Sequence, residues 1–331
     1  MLSSRKGRLA GISSCLAFLA LACAWAGAAA AQSSYPARPL RLILPFPPGG
    51  STDLLGRTLA EKLGEQLRQP VVPENRPGAG GNVGAEAAAR AAPDGHTLVL
   101  CAPSLAISPS LYARLNYDPQ RDLAPVALVA TIPNLFVVHA SVQAASLAEL
   151  AQYSRQNPGM LNFGTGGAGT SNHLASDMFR VLAKASFVQV PYKGAETAML
   201  GLLAGQVQML VIGPPAAAPH VKSGKLRALA VLGKERYAGL PEVPTAAESG
   251  MPEFEVDTWY GVLVPAGVPR DIVLRLNAEF VRMMQSRDMR ERLAGMGIEP
   301  LSGSPEQFAD FLKLEFTKWA RVVRESGARA D

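Results

Sequence analysis

Cysteine is nearly absent. Of the three in 331 residues, Cys15 and Cys23 fall in an apolar N-terminal run, which leaves only Cys101 in the rest of the chain. Once that run is removed, no internal disulfide can form. Cys101, at the end of His96-Thr97-Leu98-Val99-Leu100, reads as a small buried residue rather than a nucleophile. Histidine is scarce too: His96, His139, His173 and His220 share no metal-ligand spacing, and G-x-S-x-G, H-E-x-x-H and C-x-x-C do not occur. No metal is therefore expected, and a catalytic triad would have to come from distant residues that spacing does not reveal. Beyond residue 31 no apolar run is long enough to cross a bilayer.

The N-terminus has the three parts of a secretory signal. Arg5, Lys6 and Arg8 precede an alanine-rich apolar run over residues 9–28, and Ala29-Ala30-Ala31 offers a cleavage site before Gln32. An uncleaved anchor is the alternative, but the small residues and alanine-rich end favour cleavage near Ala31. Removing the three basic residues takes the formal charge from +5 to +2, so nucleic-acid binding is not supported. The remaining chain, about 300 residues, exceeds one ordinary core and suits two α/β lobes. We expect lobe one over residues 32–133, lobe two over 134–256 after Pro133-Asn134, and a return to lobe one over 257–331.

The chain is organised around Pro45-Phe46-Pro47-Pro48-Gly49-Gly50-Ser51-Thr52-Asp53. A Leu- and Ile-rich strand precedes this loop, and Leu55, Leu59, Leu63 and Leu67 follow on one helical stripe. At such a corner the first helical N–H groups lack partners, the macrodipole places roughly half a positive charge there, and Gly49 and Gly50 permit close approach to the main chain. Those features suit a carboxylate. A Walker phosphate loop is excluded because the lysine is missing. The bland alternative is an ordinary turn with Ser51, Thr52 or Asp53 as N-cap.

A second such corner weighs against it. Gly164-Thr165-Gly166-Gly167-Ala168-Gly169-Thr170-Ser171-Asn172-His173 also lies between a strand and a helix. Gly164, Gly166 and Gly169 satisfy G-x-G-x-x-G, but the acid expected about 20 residues on to hold a ribose is absent from Phe187-Val188-Gln189-Val190-Pro191, so no nucleotide cofactor is expected. Thr165, Thr170 and Ser171 suit a neutral site that holds a carboxylate by dipoles and hydrogen bonds. Ser104 and Ser108, after the His96–Cys101 strand, are candidate hydroxyl donors at a strand's carboxyl end. Tyr192, at a third strand-end corner, is preferred over Lys193 as a cleft residue, and Asp257 is placed near the cleft at the return crossover, with a cap as its alternative. The glycine-rich loop over residues 75–84 reads as mainly structural. Two helices, from Arg270 and from the capping box Ser304-Pro305-Glu306-Gln307, close the chain as scaffold.

In order and spacing, several segments together resemble the solute-binding receptors of tripartite tricarboxylate transporters, the Bug proteins. They are the first corner through Asp53, Glu74-Asn75-Arg76-Pro77-Gly78-Ala79-Gly80-Gly81-Asn82, Pro93-Asp94-Gly95, Pro191-Tyr192-Lys193-Gly194, Gly224-Lys225-Leu226-Arg227-Ala228-Leu229-Ala230-Val231, Val243-Pro244-Thr245, Thr258-Trp259-Tyr260-Gly261 and Pro265-Ala266-Gly267-Val268-Pro269. The resemblance spans essentially the whole chain after the signal. It implies a type II periplasmic binding fold: two α/β lobes, each a central β-sheet flanked by helices, closing on an organic acid in the cleft between them. It further implies a periplasmic location and transporter subunits in the membrane, or a sensor, as partners. One departure is Ser108-Pro109, where the family commonly has Asn-Pro. The site expected is Phe46, Gly49, Gly50, Ser51, Thr52, Asp53, Ser104, Ser108, Thr165, Gly166, Gly169, Thr170, Ser171, Tyr192 and Asp257, in a monomer without cofactor. An exported hydrolase on a similar scaffold is the competing class.

Overall fold

Leu40, Leu42, Ile43 and Leu44 are fully buried in the first strand, β1 (Leu40–Leu44), which runs parallel to β2 (Val71–Asn75) and β3 (Thr97–Cys101). The computed structural model describes residues 35–330; the expected signal peptide and its cleavage point lie outside the described residues. Near-continuous apolar strands of this kind need cover on both faces. Helix α1 (Ser51–Leu67) supplies part of it, turning Leu55, Leu59, Leu63 and Leu67 inward as the stripe predicts. Helices α2 (Asn82–Ala89) and α3 (Ser104–Leu111) flank β3 in the chain. Two long strands complete the sheet: β4 (Leu123–Pro133) and β10 (Asp257–Pro265), with β10 antiparallel to both β3 and β4. With the short β11 (Glu299–Pro300) at the edge, the order is β11-β4-β10-β3-β1-β2.

The second sheet takes the residues between β4 and β10. It contains β5 (Leu135–His139), β6 (Asn162–Thr165), β7 (Val188–Pro191), β8 (Met209–Ile212) and β9 (Leu226–Val231) in the order β7-β6-β8-β5-β9. Strands β6, β7 and β8 are parallel, while β5 is antiparallel to β8 and β9. Helices α4 (Leu147–Gln156), α5 (Ser171–Ala183), α6 (Ala195–Leu203) and α7 (Pro214–Lys222) connect them. Phe136 on β5 is the aromatic hub, with the rings of Phe179 and Phe163 at 4.8 and 5.6 Å and that of Phe254 at 6.1 Å.

One residue ties the two passages between sheets. Asn134, between β4 and β5, donates through Nδ2 to the Val256 carbonyl at 2.8 Å and to Thr258 Oγ1 at 3.1 Å, and its carbonyl accepts from Leu232 N at 2.7 Å. Asp257 opens β10 opposite Pro133.

Three helices close the chain, not two. Helix α8 (Arg270–Gln285) stops at Ser286, whose hydroxyl accepts from Met289 N at 3.3 Å and so starts α9 (Arg287–Gly295), which buries Met289 and Leu293. Ser286 itself is extended (φ −69°, ψ 144°), so the chain changes direction there and its side chain caps the next helix at once. Helix α10 (Pro305–Ser326) begins with the expected capping box, in which Ser304 Oγ accepts from Gln307 N and Gln307 Oε1 from Ser304 N. It packs on α3 and on α5, so one helix touches elements attached to both sheets. Its Glu315 is buried, and Oε2 accepts from Trp259 Nε1 at 2.7 Å and Trp319 Nε1 at 2.9 Å.

Replacing Glu315 by Ala orphans two buried indole donors, each costing about 1–3 kcal/mol. A loss of about 2–6 kcal/mol in urea unfolding is expected, with Glu315→Gln losing less because it keeps one acceptor. A second prediction concerns pH. Burial pushes the Asp257 carboxyl up to about 7, with Glu255 and Glu315 adding to the rise and Lys318 and Lys234 opposing it. A carboxyl raised in the folded state costs nothing below its ordinary value of 3.8, progressively more as pH rises to about 7, and its full penalty above. Asp257→Asn is therefore expected to stabilise the protein at pH 8 and to do little at pH 4, the gap widening between them in thermal melts; a gap independent of pH would contradict it.

Candidate functional site

The parallel strands of both sheets deliver their carboxyl ends to one cleft of about 710 Å³. Open α/β sheets bind ligands at such ends. The loop after β1 contributes Phe46 and residues 49–52, the turn after β3 contributes Ala102, Pro103 and Ser104, and β6 leads to Gly166, Thr170, Ser171 and Asn172. Beyond β7 come residues 193–197, and beyond β8 Gly213. Asn134, Thr258 and Tyr260 enter from the strands that pass between the sheets.

At the first corner, Gly50 is the N-cap of α1 in extended conformation with no side-chain cap. The loop is instead held from inside the helix. Asp53 reaches back so that Oδ2 accepts from Gly49 N at 3.0 Å and Arg57 Nε at 3.0 Å, while Oδ1 accepts from Asn75 Nδ2 at 2.9 Å; the same amide donates to the Phe46 carbonyl at 3.1 Å. Arg57 first, then the Gly49 and Asn75 hydrogen bonds, outweigh burial and hold the Asp53 carboxyl down to about 2. Its charge is thus consumed within the loop, and the side chain does not line the cleft. Ser51 and Thr52 do, beside the Tyr260 hydroxyl, which burial pushes up to about 12 against their hydrogen bonds.

The second corner has the same construction with a neutral anchor. Thr170 is the extended N-cap of α5, and the buried Asn172 Oδ1 accepts from Gly166 N at 3.0 Å and from Thr170 Oγ1 at 2.6 Å. In each case a polar residue in the first helical turn fixes the glycine loop, leaving the other N-terminal N–H groups of the helix without intrahelical partners. Ser171 Oγ lies 3.5 Å from Thr258 Oγ1, so the second corner abuts the passage between sheets.

The expected site residues divide. Phe46, Gly49, Gly50, Ser51, Thr52, Ser104, Gly166, Thr170 and Ser171 come together in the lining; Asp53, Ser108, Thr165, Gly169, Tyr192 and Asp257 lie off it. Ser108 is wholly buried, its hydroxyl donating to the Ser104 carbonyl one turn back at 2.7 Å. Thr165 is buried at the end of β6. Gly169 has φ +81° and backs onto Leu111 and Tyr112. The Tyr192 ring packs against Gly164 and Gly201, leaving the cleft to Lys193, the reverse of the preference read from sequence. Asp257 is half-buried, with a buried Oδ1 that has no hydrogen-bond partner and lies beside Gly233.

Sequence reasoning missed several lining residues. The loop read as structural supplies Gly78, Ala79, Gly80 and Gly81. Its position after β2 at the same sheet edge was the available signal. Lys193 and Glu196 follow the same strand-end rule after β7. Asn134 and Thr258 had no local signal, because they reach the cleft only through the crossing strands. Among the described residues no cluster of three or more His, Cys, Asp or Glu is placed to hold a metal ion.

The family model described as "Tripartite tricarboxylate transporter family receptor" matches residues 55–328. Protein BugT of Bordetella pertussis is 40% identical over 318 residues, spanning 95% of this chain and 98% of BugT. Among solved structures, "R. palustris Rpa4515 with adipate" aligns with a TM-score of 0.83 at 34% identity, covering 90% of this chain and 100% of that one. MatC (Rpa3494) from Rhodopseudomonas palustris with bound malate aligns with a TM-score of 0.79 at 33% identity, covering 87% and 100%. The two mixed sheets flanked by helices are thus the fold of periplasmic binding proteins. With similarity running almost end to end in sequence and in structure, the chain belongs to the tripartite tricarboxylate transporter receptor family, which includes the Bug proteins.

Proposed function

We propose that this protein is a periplasmic receptor that captures a small organic acid in the cleft and presents it to the membrane subunits of a tripartite tricarboxylate-type transporter. The observation that carries this reading is the pairing of two glycine-loop corners, each opening a helix, across one cleft in a chain whose structural neighbours hold adipate and malate. A carboxylate at either corner meets main-chain N–H groups, a helix dipole of the favourable sign and the hydroxyls of Ser51, Thr52, Thr170 and Ser171. No histidine or cysteine stands among the lining residues to activate a nucleophile, which favours binding over hydrolysis.

In this reading residues 32–133 and 257–331 move as one lobe and 134–256 as the other, hinged where Asn134 joins the two passages. Ligand bridging both corners has higher affinity for the closed form and shifts the population towards it. The receptor acts as a monomer, without a cofactor.

A thermal-shift screen against mono-, di- and tricarboxylates and acidic amino acids tests this. An acid at about 100 times its Kd stabilises the fold by about 2.7 kcal/mol, a rise of a few degrees in midpoint. Gly50→Val places a branched side chain in the cleft at the start of α1 and is expected to weaken the same acid by more than about tenfold, 1.4 kcal/mol or more, while the ligand-free melt stays near that of the parent. Absence of any saturable shift, or full affinity in the variant, would overturn the two-corner site.

A further inference from the structure

Only two side chains lining the cleft carry charge, Lys193 and Glu196, so the cavity is not an electropositive funnel for plain anions. Glu196 lies in the first turn of α6, on the second-sheet side, and reaches across the cleft. A Cβ built on Gly50 would lie 3.1 Å from its Oε1, and one on Gly194 would lie 3.5 Å from its Oε2. Its carboxylate therefore rests against the N-cap of α1, the very corner assigned above to a ligand's carboxylate. Among the described residues no lysine, arginine or histidine pairs with it.

Two carboxylates brought to one helix terminus repel. A ligand carrying an ammonium group beside its carboxylate removes the conflict: the carboxylate takes the N–H groups at the start of α1, and the ammonium donates to Glu196. We infer that Glu196 is a specificity-determining residue that selects an amino-bearing acid, a carboxylate with an adjacent cationic nitrogen, over its plain counterpart. The inference rests on the carboxylate-receptor reading and narrows it, since the adipate and malate held by the structural neighbours carry no such nitrogen. Lys193 remains free to meet a second carboxylate, which makes acidic amino acids the natural probes.

The test is calorimetric titration of the exported, purified protein and of Glu196→Gln with pairs that differ only in the amino group: succinate and aspartate, glutarate and glutamate, adipate and 2-aminoadipate, propionate and alanine. The parent is expected to bind the amino member of one pair roughly ten- to hundredfold more tightly, the range for a hydrogen bond to a charged group. Glu196→Gln, which keeps the shape and removes the charge, should erase that preference and tighten the plain acid. Because Glu196 is exposed on its helix, the variant should melt with the parent. A parent that prefers the plain acid, or a preference unchanged in Glu196→Gln, overturns the inference and leaves the receptor reading standing. Binding of neither member of any pair, by either protein, overturns both.

Discussion

The site depends on a short-range constraint met twice: a polar side chain in the first turn of a helix accepts from a glycine N–H four to six residues earlier. Asp53 does this for Gly49 and Asn172 for Gly166, each at 3.0 Å. The consequence is a stiff loop whose glycines stay open to the cleft while the start of the helix faces into it. The anchors differ because their surroundings differ. Asp53 has Arg57 beside it, so an ionised carboxylate is compensated inside the loop. Asn172 has no such partner and is neutral, which leaves the second corner uncharged.

What brings the two corners face to face is long-range. The chain leaves the first sheet after β4 and returns in β10, and Asn134 hydrogen-bonds both sides of that double passage. Helix α10 also touches elements attached to both sheets, with Glu315 joining Trp259 of β10 to Trp319 of its own helix. Residues distant in sequence, Asn134 and Thr258, thereby become neighbours of Ser171 in the cleft. The same passage buries the Asp257 Oδ1 without a partner, a polar cost concentrated where the sheets join.

The glycine loops, their positions at strand ends, the helical stripe of α1 and the capping box of α10 were legible in the sequence, because each rests on contacts within a few residues. The direction of individual side chains was not. Asp53 and Ser51 are two positions apart, yet one turns into the loop and the other into the cleft. Tyr192 and Lys193 are adjacent, and the small residues Gly164 and Gly201 decide the outcome by accepting the tyrosine ring. Ser286 was hidden for a related reason: a cap that restarts a helix looks in sequence like an interior serine.

By itself, then, the sequence determined which residue types stand at the strand ends, since alternation of apolar strands, glycine turns and amphipathic helices follows from local sterics and from the need to bury each apolar face. The tertiary structure alone decided which of those residues share a cavity and what faces them across it. Glu196 shows the difference. In sequence it is one acid in a helical first turn, and only the folding of the second sheet against the first sets its carboxylate beside Gly50, because a contact across a cleft depends on the placement of two sheets and not on any spacing along the chain.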